Sequence, residues 1–200
     1  MNLPNRLTIL RILLVPVFIL FLVNLTMIPG HYLIAGVIFA IASFTDFLDG
    51  KIARKRNLVT NFGKFLDPLA DKILVLAALV CFSYLGLTEV WFVLIILARD
   101  FMVTSVRMVA AYSGEVVAAN IWGKAKTVSQ MVAITVILLM QFFQELITLK
   151  AMPGFSIGSF GSDTVFVFCG NVLIGICTVF TILSGVVYLV QNWKLFKSSK

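Results

Sequence analysis

Tyr32-Leu33-Ile34-Ala35-Gly36-Val37-Ile38-Phe39-Ala40-Ile41-Ala42-Ser43-Phe44-Thr45 carries no charge over fourteen residues and runs directly into Asp46-Phe47-Leu48-Asp49-Gly50. Such a run is either the core helix of a soluble domain or part of a membrane span, because about 20 residues at 1.5 Å each cross the roughly 30 Å hydrocarbon layer. The rest of the chain decides between them. Of its 200 residues 60% are hydrophobic and only 12% charged, against about a quarter charged in a soluble domain, and mean hydropathy is +1.05. That composition excludes a soluble enzyme and leaves no room for a sizeable domain outside the bilayer.

Working outward from 32–54, apolar windows bounded by turn residues predict further spans near 10–28, 65–86, 90–112, 127–149 and 164–191. Asn2 to Thr8, with Pro4 near its start, reads as a short interfacial helix ahead of the first span. Residues 151–163, rich in Gly, Ser and Pro, form the longest loop. The expected architecture is all-α: one integral-membrane domain over residues 1–200, six transmembrane helices and an N-terminal interfacial helix. An even number of spans puts both termini on one side. That side collects Arg6, Arg11, Lys51, Arg54, Lys55, Arg56, Lys64, Lys124, Lys126, Lys194, Lys197 and Lys200, while the other has Lys150. By the positive-inside rule both termini are cytoplasmic. Lys72, Arg99 and Arg107 fall within spans.

The net charge of +7 therefore reports topology and anionic lipid, with no nucleic-acid partner implied. Cys81, Cys169 and Cys177 lie in apolar runs without paired spacing, which argues against a zinc or disulfide role. His31 follows Pro29-Gly30 and reads as a solvated interfacial residue. The first apolar run carries Arg11 and lacks a small-x-small cleavage site, so it is expected to be a mature helix rather than a leader.

Four of the nine acidic residues, Asp46, Asp49, Asp67 and Asp71, crowd the cytoplasmic ends of spans two and three. Ionisable groups at membrane depth cost at least a few kcal/mol and mark functional sites. Asp46 and Asp49 are i,i+3, Asp67 and Asp71 are i,i+4, so each pair lines one helix face. A helical hairpin can bring the pairs together as a cage of oxygen ligands, which selects Mg²⁺, Mn²⁺ or Ca²⁺ over softer metals, and paired ions held that way commonly clamp a phosphoryl group. The alternative is that the carboxylates pair with Lys51, Arg54, Lys64 and Lys72 to hold the hairpin, although their mutual repulsion makes that a poor packing device.

Asp46-x2-Asp49-Gly50-x2-Ala53-Arg54, eight residues, then Gly63-x3-Asp67-x3-Asp71 resembles without departure the signature of the CDP-alcohol phosphotransferases. Flanking segments extend the resemblance: Asn2-Leu3-Pro4-Asn5 with Thr8 and Arg11, Ala98-Arg99-Asp100 with Arg107, and Gly123-Lys124 with Lys126, Thr127 and Gln130. They are most similar to bacterial members whose acceptor is sn-glycerol 3-phosphate. The resemblance implies a multi-pass enzyme of the bacterial plasma membrane with its active site open to the cytoplasm. It further implies transfer of the phosphatidyl group of CDP-diacylglycerol to sn-glycerol 3-phosphate with release of CMP, two divalent ions (Mg²⁺ or Mn²⁺), and a homodimer.

By the same resemblance Asp46, Asp49, Asp67 and Asp71 hold metal and Asp71 is the base. Asp49, Gly50, Ala53, Arg54 and Gly63 seat CDP-diacylglycerol. The small residues Gly50, Ala53 and Gly63 would admit cytidine close to the backbone, with helix packing as the competing account; Arg54 offers a planar fork to the pyrophosphate, with positive-inside anchoring as its alternative. An acceptor bearing its own phosphate needs a second cationic seat. Arg99, Arg107, Lys124 and Lys126 are the candidates, against pairing with Asp100 or Glu115. Thr8, Arg11 and Gln130 are weaker candidates for the same pocket. Three rivals remain: a family member using inositol phosphate, serine or phosphatidylglycerol; an ion-coupled transporter, whose carboxylates belong nearer the midplane; and an Asp-rich prenyltransferase, which should lack Gly50-x2-Ala53-Arg54.

Overall fold

The computed structural model describes the backbone of residues 3–56, 61–112, 121–157 and 159–191, and the side chains of 8–45, 72–108, 121–156 and 159–191. Among the described residues the chain is all-helical apart from one small hairpin. Six helices follow in order: α1 Leu3–Ile19, α2 His31–Arg56, α3 Asn61–Tyr84, α4 Val90–Tyr112, α5 Ile121–Thr148 and α6 Ser162–Gln191. β1 (Ser156–Ile157) and β2 (Phe160–Gly161) pair antiparallel just before α6.

The start of the chain differs from the expectation. No separate interfacial helix precedes the first span; α1 runs unbroken from Leu3. Pro4 sits in its first turn, where the missing N–H has no intrahelical partner to lose, so the proline starts the helix instead of ending it. Pro16 lies further along α1, and beyond it the helix loosens into a π turn, Leu20–Asn24, closed by Leu25 N–H donating to Leu20 C=O at 2.9 Å. Gly30 then turns the chain with φ +82°, a conformation glycine adopts at no steric cost. His31 is the second correction. It opens α2 and is only 5% exposed, so it is a buried side chain and not a solvated one.

The helices pack around an apolar core that includes Phe18, Phe39, Phe82 and Ile137, with small residues at part of the contacts. α5 lies against α6 and α2, α1 against α2 and α3, and α4 against α6. α6 shows the principle: its buried positions include Gly170, Cys177, Thr181, Ser184 and Gly185, while Phe168, Ile176, Val179, Leu183, Val186 and Val190 point outward. A soluble helix would do the reverse. Between helices in lipid no hydrophobic force acts, so small side chains permit close approach and large apolar ones face the acyl chains. Thr178 and Thr181 donate to Ile174 C=O and Cys177 C=O at 2.8 and 2.7 Å, which satisfies hydroxyls that would otherwise be orphaned in the interior.

α5 and α6 are long and apolar enough to cross a membrane, and Thr8–Asn24, His31–Thr45 and Lys72–Tyr84 are shorter apolar helical stretches. α4 contains Arg99, Asp100 and Arg107, and those charges lie where the bundle builds its site.

Candidate functional site

α2 carries Asp46 and Asp49 and α3 carries Asp67 and Asp71, each pair on one face by helical spacing. The side chains of these aspartates, and of Gly50, Ala53, Arg54 and Gly63, lie outside the described residues. As a donor set, four carboxylates on two consecutive helices suit hard divalent cations. Among the described residues no group of three or more His, Cys, Asp or Glu could hold a metal ion.

The described part of the site is built on three helices. Asp100 of α4 bridges two cations: Arg99 Nη1 lies 3.1 Å from its Oδ1, and Lys126 Nζ of α5 donates to its Oδ2. From the other side Arg99 Nη2 donates to Ser184 Oγ of α6 at 2.5 Å. Side-chain exposure is 12% for Arg99, 14% for Asp100 and 4% for Lys126, so the pairing is shielded far more than a surface ion pair. Gly185 lets the arginine stem lie along α6, because a Cβ there would stand 3.1 Å from Arg99 Cγ. Two cations share one carboxylate, and the Nε of Arg99 is buried without a hydrogen-bond partner among the described residues. Among the described residues the cluster therefore keeps an unmet donor and two cations on one carboxylate. Lys72 of α3, adjacent in sequence to Asp71, is near enough for its charge to act on Lys126. The cationic cluster thus lies next to the helix that carries Asp67 and Asp71.

Around it, Gln130 is one turn beyond Lys126, 2% exposed, with Nε2 unpartnered among the described residues. Thr8 and Arg11, one turn apart on α1, are 1% and 2% exposed, deeper than a cap or headgroup contact would be. The structure brings Arg99 and Lys126 together, while Arg107 and Lys124 stand apart from their ion pairs. Arg107 lies on the Tyr188 ring of α6, 5.4 Å from its centroid, and both it and Lys124 are exposed. Sequence reasoning weighed Asp100 only as a competing partner for the cations and had no reading of Ser184, Gly185 or Tyr188. Nothing local marks those three in an apolar run. Only the packing of α6 on α4 gives them a role.

The chain matches the family model described as CDP-alcohol phosphatidyltransferase over residues 1–158. It is 41% identical to a Bacillus subtilis protein named CDP-diacylglycerol--glycerol-3-phosphate 3-phosphatidyltransferase, over 99% of this chain and 98% of that one. A Rickettsia bellii protein of the same name is 36% identical over 98% of this chain and 97% of its own length. A Mycobacterium tuberculosis protein named probable phosphatidylglycerophosphate synthase is 43% identical over 66% of this chain and 64% of its own. The match to the family model takes in the whole aspartate signature as well as Arg99, Asp100 and Lys126, and with the likeness to relatives along nearly the full length it means that the chain belongs to the CDP-alcohol phosphatidyltransferase family.

Proposed function

We propose that this chain transfers the phosphatidyl group of CDP-diacylglycerol to sn-glycerol 3-phosphate, releasing CMP, in anionic phospholipid synthesis. The observation that carries the acceptor assignment is the shielded cluster of Arg99, Asp100, Lys126 and Ser184, a cationic seat on helices other than the one bearing Asp46 and Asp49. An acceptor without a phosphate, such as serine, has no use for it. The full-length likeness to enzymes named for this reaction supports the same reading.

In this reading Arg99 and Lys126 hold the phosphate of the acceptor by charge-assisted hydrogen bonds, Arg107 and Lys124 complete the seat, and Asp100 keeps the two buried cations in place before substrate enters. Thr8, Arg11 and Gln130 supply further polar contacts at its wall. Arg54 binds the pyrophosphate of CDP-diacylglycerol, with Asp49, Gly50, Ala53 and Gly63 forming the cytidine seat. Asp46, Asp49, Asp67 and Asp71 would hold Mg²⁺ or Mn²⁺, which when bound neutralises pyrophosphate charge and acidifies the attacking hydroxyl. Asp71 takes the proton of that hydroxyl. The oxygen of the glycerol 3-phosphate hydroxyl bonds to the lipid-side phosphorus, the bond from that phosphorus to the CMP oxygen breaks, and CMP leaves with the electron pair.

The working arrangement is six spans in a bacterial plasma membrane, both termini and the aspartates at the cytoplasmic face, and a homodimer. Lys and Arg crowding one set of helix ends supports the orientation. CMP release from labelled CDP-diacylglycerol by the purified protein in detergent tests the reaction class. Release should require both glycerol 3-phosphate and a divalent cation, and chelator should abolish it. Turnover that persists in chelator would remove the carboxylate cage from the account.

A further inference from the structure

A second site lies at the other end of the bundle. A cavity of about 360 Å³ opens between the α1–α2 turn, the first turn of α2 and the last turns of α5. His31 to Asp46 is roughly 22 Å along α2 and Glu145 to Lys126 roughly 28 Å along α5, so this cavity is separate from the cationic seat and the aspartates. Its polar atoms are unusually unsatisfied. His31 is 5% exposed, and among the described residues its buried Nδ1 has no hydrogen-bond partner; Gln144 Oε1 and Glu145 Oε2 are likewise buried and unpartnered there. Glu145 is fixed from behind, its Oε1 accepting from Gly30 N–H at 2.6 Å. Buried polar atoms left without a partner are rare, and three of them, the two side-chain oxygens being acceptors, line one cavity.

The chemistry of the lining selects the ligand. Among the described residues no Lys or Arg lines the cavity, in a chain of net charge +7, and Glu145 supplies its carboxylate, so an anion is disfavoured and a cation with N–H donors is favoured. A single histidine with one carboxylate and the two amides of Gln141 and Gln144 is a poor set for a bare divalent ion, and the volume falls in the range of small organic ligands. The rings of His31 and Tyr32 lie 4.1 Å apart and offer an aromatic wall to a cation, while Met27 and Leu149 can receive methylenes.

We propose that this cavity binds a primary alkylammonium group, carried by a free amine or by the head of an amine-bearing lipid. N–H donors of the ligand meet Glu145 Oε2 and Gln144 Oε1. Titration calorimetry on the full chain in detergent tests this with ethanolamine and short-chain phosphatidylethanolamine, against choline and short-chain phosphatidylcholine, which lack N–H donors. At least one primary amine should bind, with its trimethylated counterpart roughly tenfold weaker or worse, the loss of one charge-assisted hydrogen bond. Binding of the lipid alone identifies a headgroup, and equal binding of free ethanolamine identifies a soluble amine. Glu145→Gln, which keeps an acceptor for Gly30, should weaken binding by about tenfold or more. Met27→Lys should do the same by placing an ammonium of the chain's own at the cavity, and Met27 is 96% exposed, so folding tolerates the change. Equal affinity for the trimethylated compounds, unchanged binding by Met27→Lys, or binding of zinc and of neither amine would overturn the proposal.

Discussion

Asp100 holds Arg99 and Lys126 on one carboxylate, and Ser184 fixes the far side of the same guanidinium. In the proposed reaction, holding the fork in one orientation would spare the acceptor phosphate the entropy of ordering it. Ser184→Ala should therefore raise KM for glycerol 3-phosphate several-fold, by the roughly 0.5–1.5 kcal/mol of one hydrogen bond, with the KM for CDP-diacylglycerol unchanged. Lys126→Ala should weaken use of glycerol 3-phosphate by roughly tenfold to a hundredfold, read as kcat/KM. If both substrates suffer equally in steady-state kinetics, the cluster serves the fold and not the acceptor. Asp71→Asn makes the complementary prediction: turnover falls to a small fraction while CDP-diacylglycerol binding stays measurable, because three carboxylates remain. Near-normal turnover in that variant would remove Asp71 from its role as base. At this scale the sequence singled out Arg99 through charge at membrane depth, which is costly enough to be conspicuous, and Lys126 through its place with Lys124 at the opening of the fifth span. Ser184 gave no such signal, since an uncharged small residue in an apolar helix costs little and gains meaning only from a neighbour 85 positions away.

α6 meets the α3–α4 turn through Gly170, where an added Cβ would stand 3.2 Å from Leu87 C=O, and Asn171 accepts from Glu89 N–H at 2.9 Å just ahead of α4. These two contacts set α4 against α6 and hence Arg99 against Ser184. Gly170→Val should lower the melting temperature of the detergent-solubilised protein, with an overpacking cost of about 1–3 kcal/mol, and an unchanged melting curve would show that the turn yields freely. Apolar run length recovered all six helices, with ends displaced by up to several residues. It placed the start of α1 too late because Asn2 to Thr8 was read as a separate interfacial helix, and it missed the β1–β2 hairpin, whose two-residue strands are too short to carry an alternating pattern. Orientation has its own test. A cysteine at Asn57 or Ser199 should react with an impermeant reagent from the cytoplasmic side only, and one at Ser159 from the outside only. Outside labelling at Asn57 would separate the aspartates from the cytosolic pool of acceptor.

Among the described residues the bundle encloses large apolar side chains such as Phe18, Phe82 and Ile137 together with buried polar ones, while many other large apolar side chains face outward. Helices α4, α5 and α6 bring Arg99, Asp100, Lys126 and Ser184 together, the proposed acceptor seat, beside the carboxylate helices α2 and α3. The carboxylate half of that arrangement was legible in the sequence because its spacing is rigid: eight positions over 26 residues admit few other meanings. The acceptor half was legible only as a set of charges, because which of Arg99, Arg107, Lys124 and Lys126 share a partner depends on helix packing, and helix packing in lipid is set by small residues that carry no pattern of their own. The buried His31 escaped for a related reason: a turn after Pro29-Gly30 reads as surface until α5 closes over it with Glu145. The acceptor is the central claim, and product identification by mass tests it most directly. Purified protein is given CDP-diacylglycerol with glycerol 3-phosphate, glycerol, inositol phosphate, serine or phosphatidylglycerol, and lipid product and CMP are quantified in each. The account predicts phosphatidylglycerophosphate and CMP in equal amounts from glycerol 3-phosphate, with the other acceptors far behind. Equal product from glycerol or serine, or a better one from inositol phosphate, would contradict it.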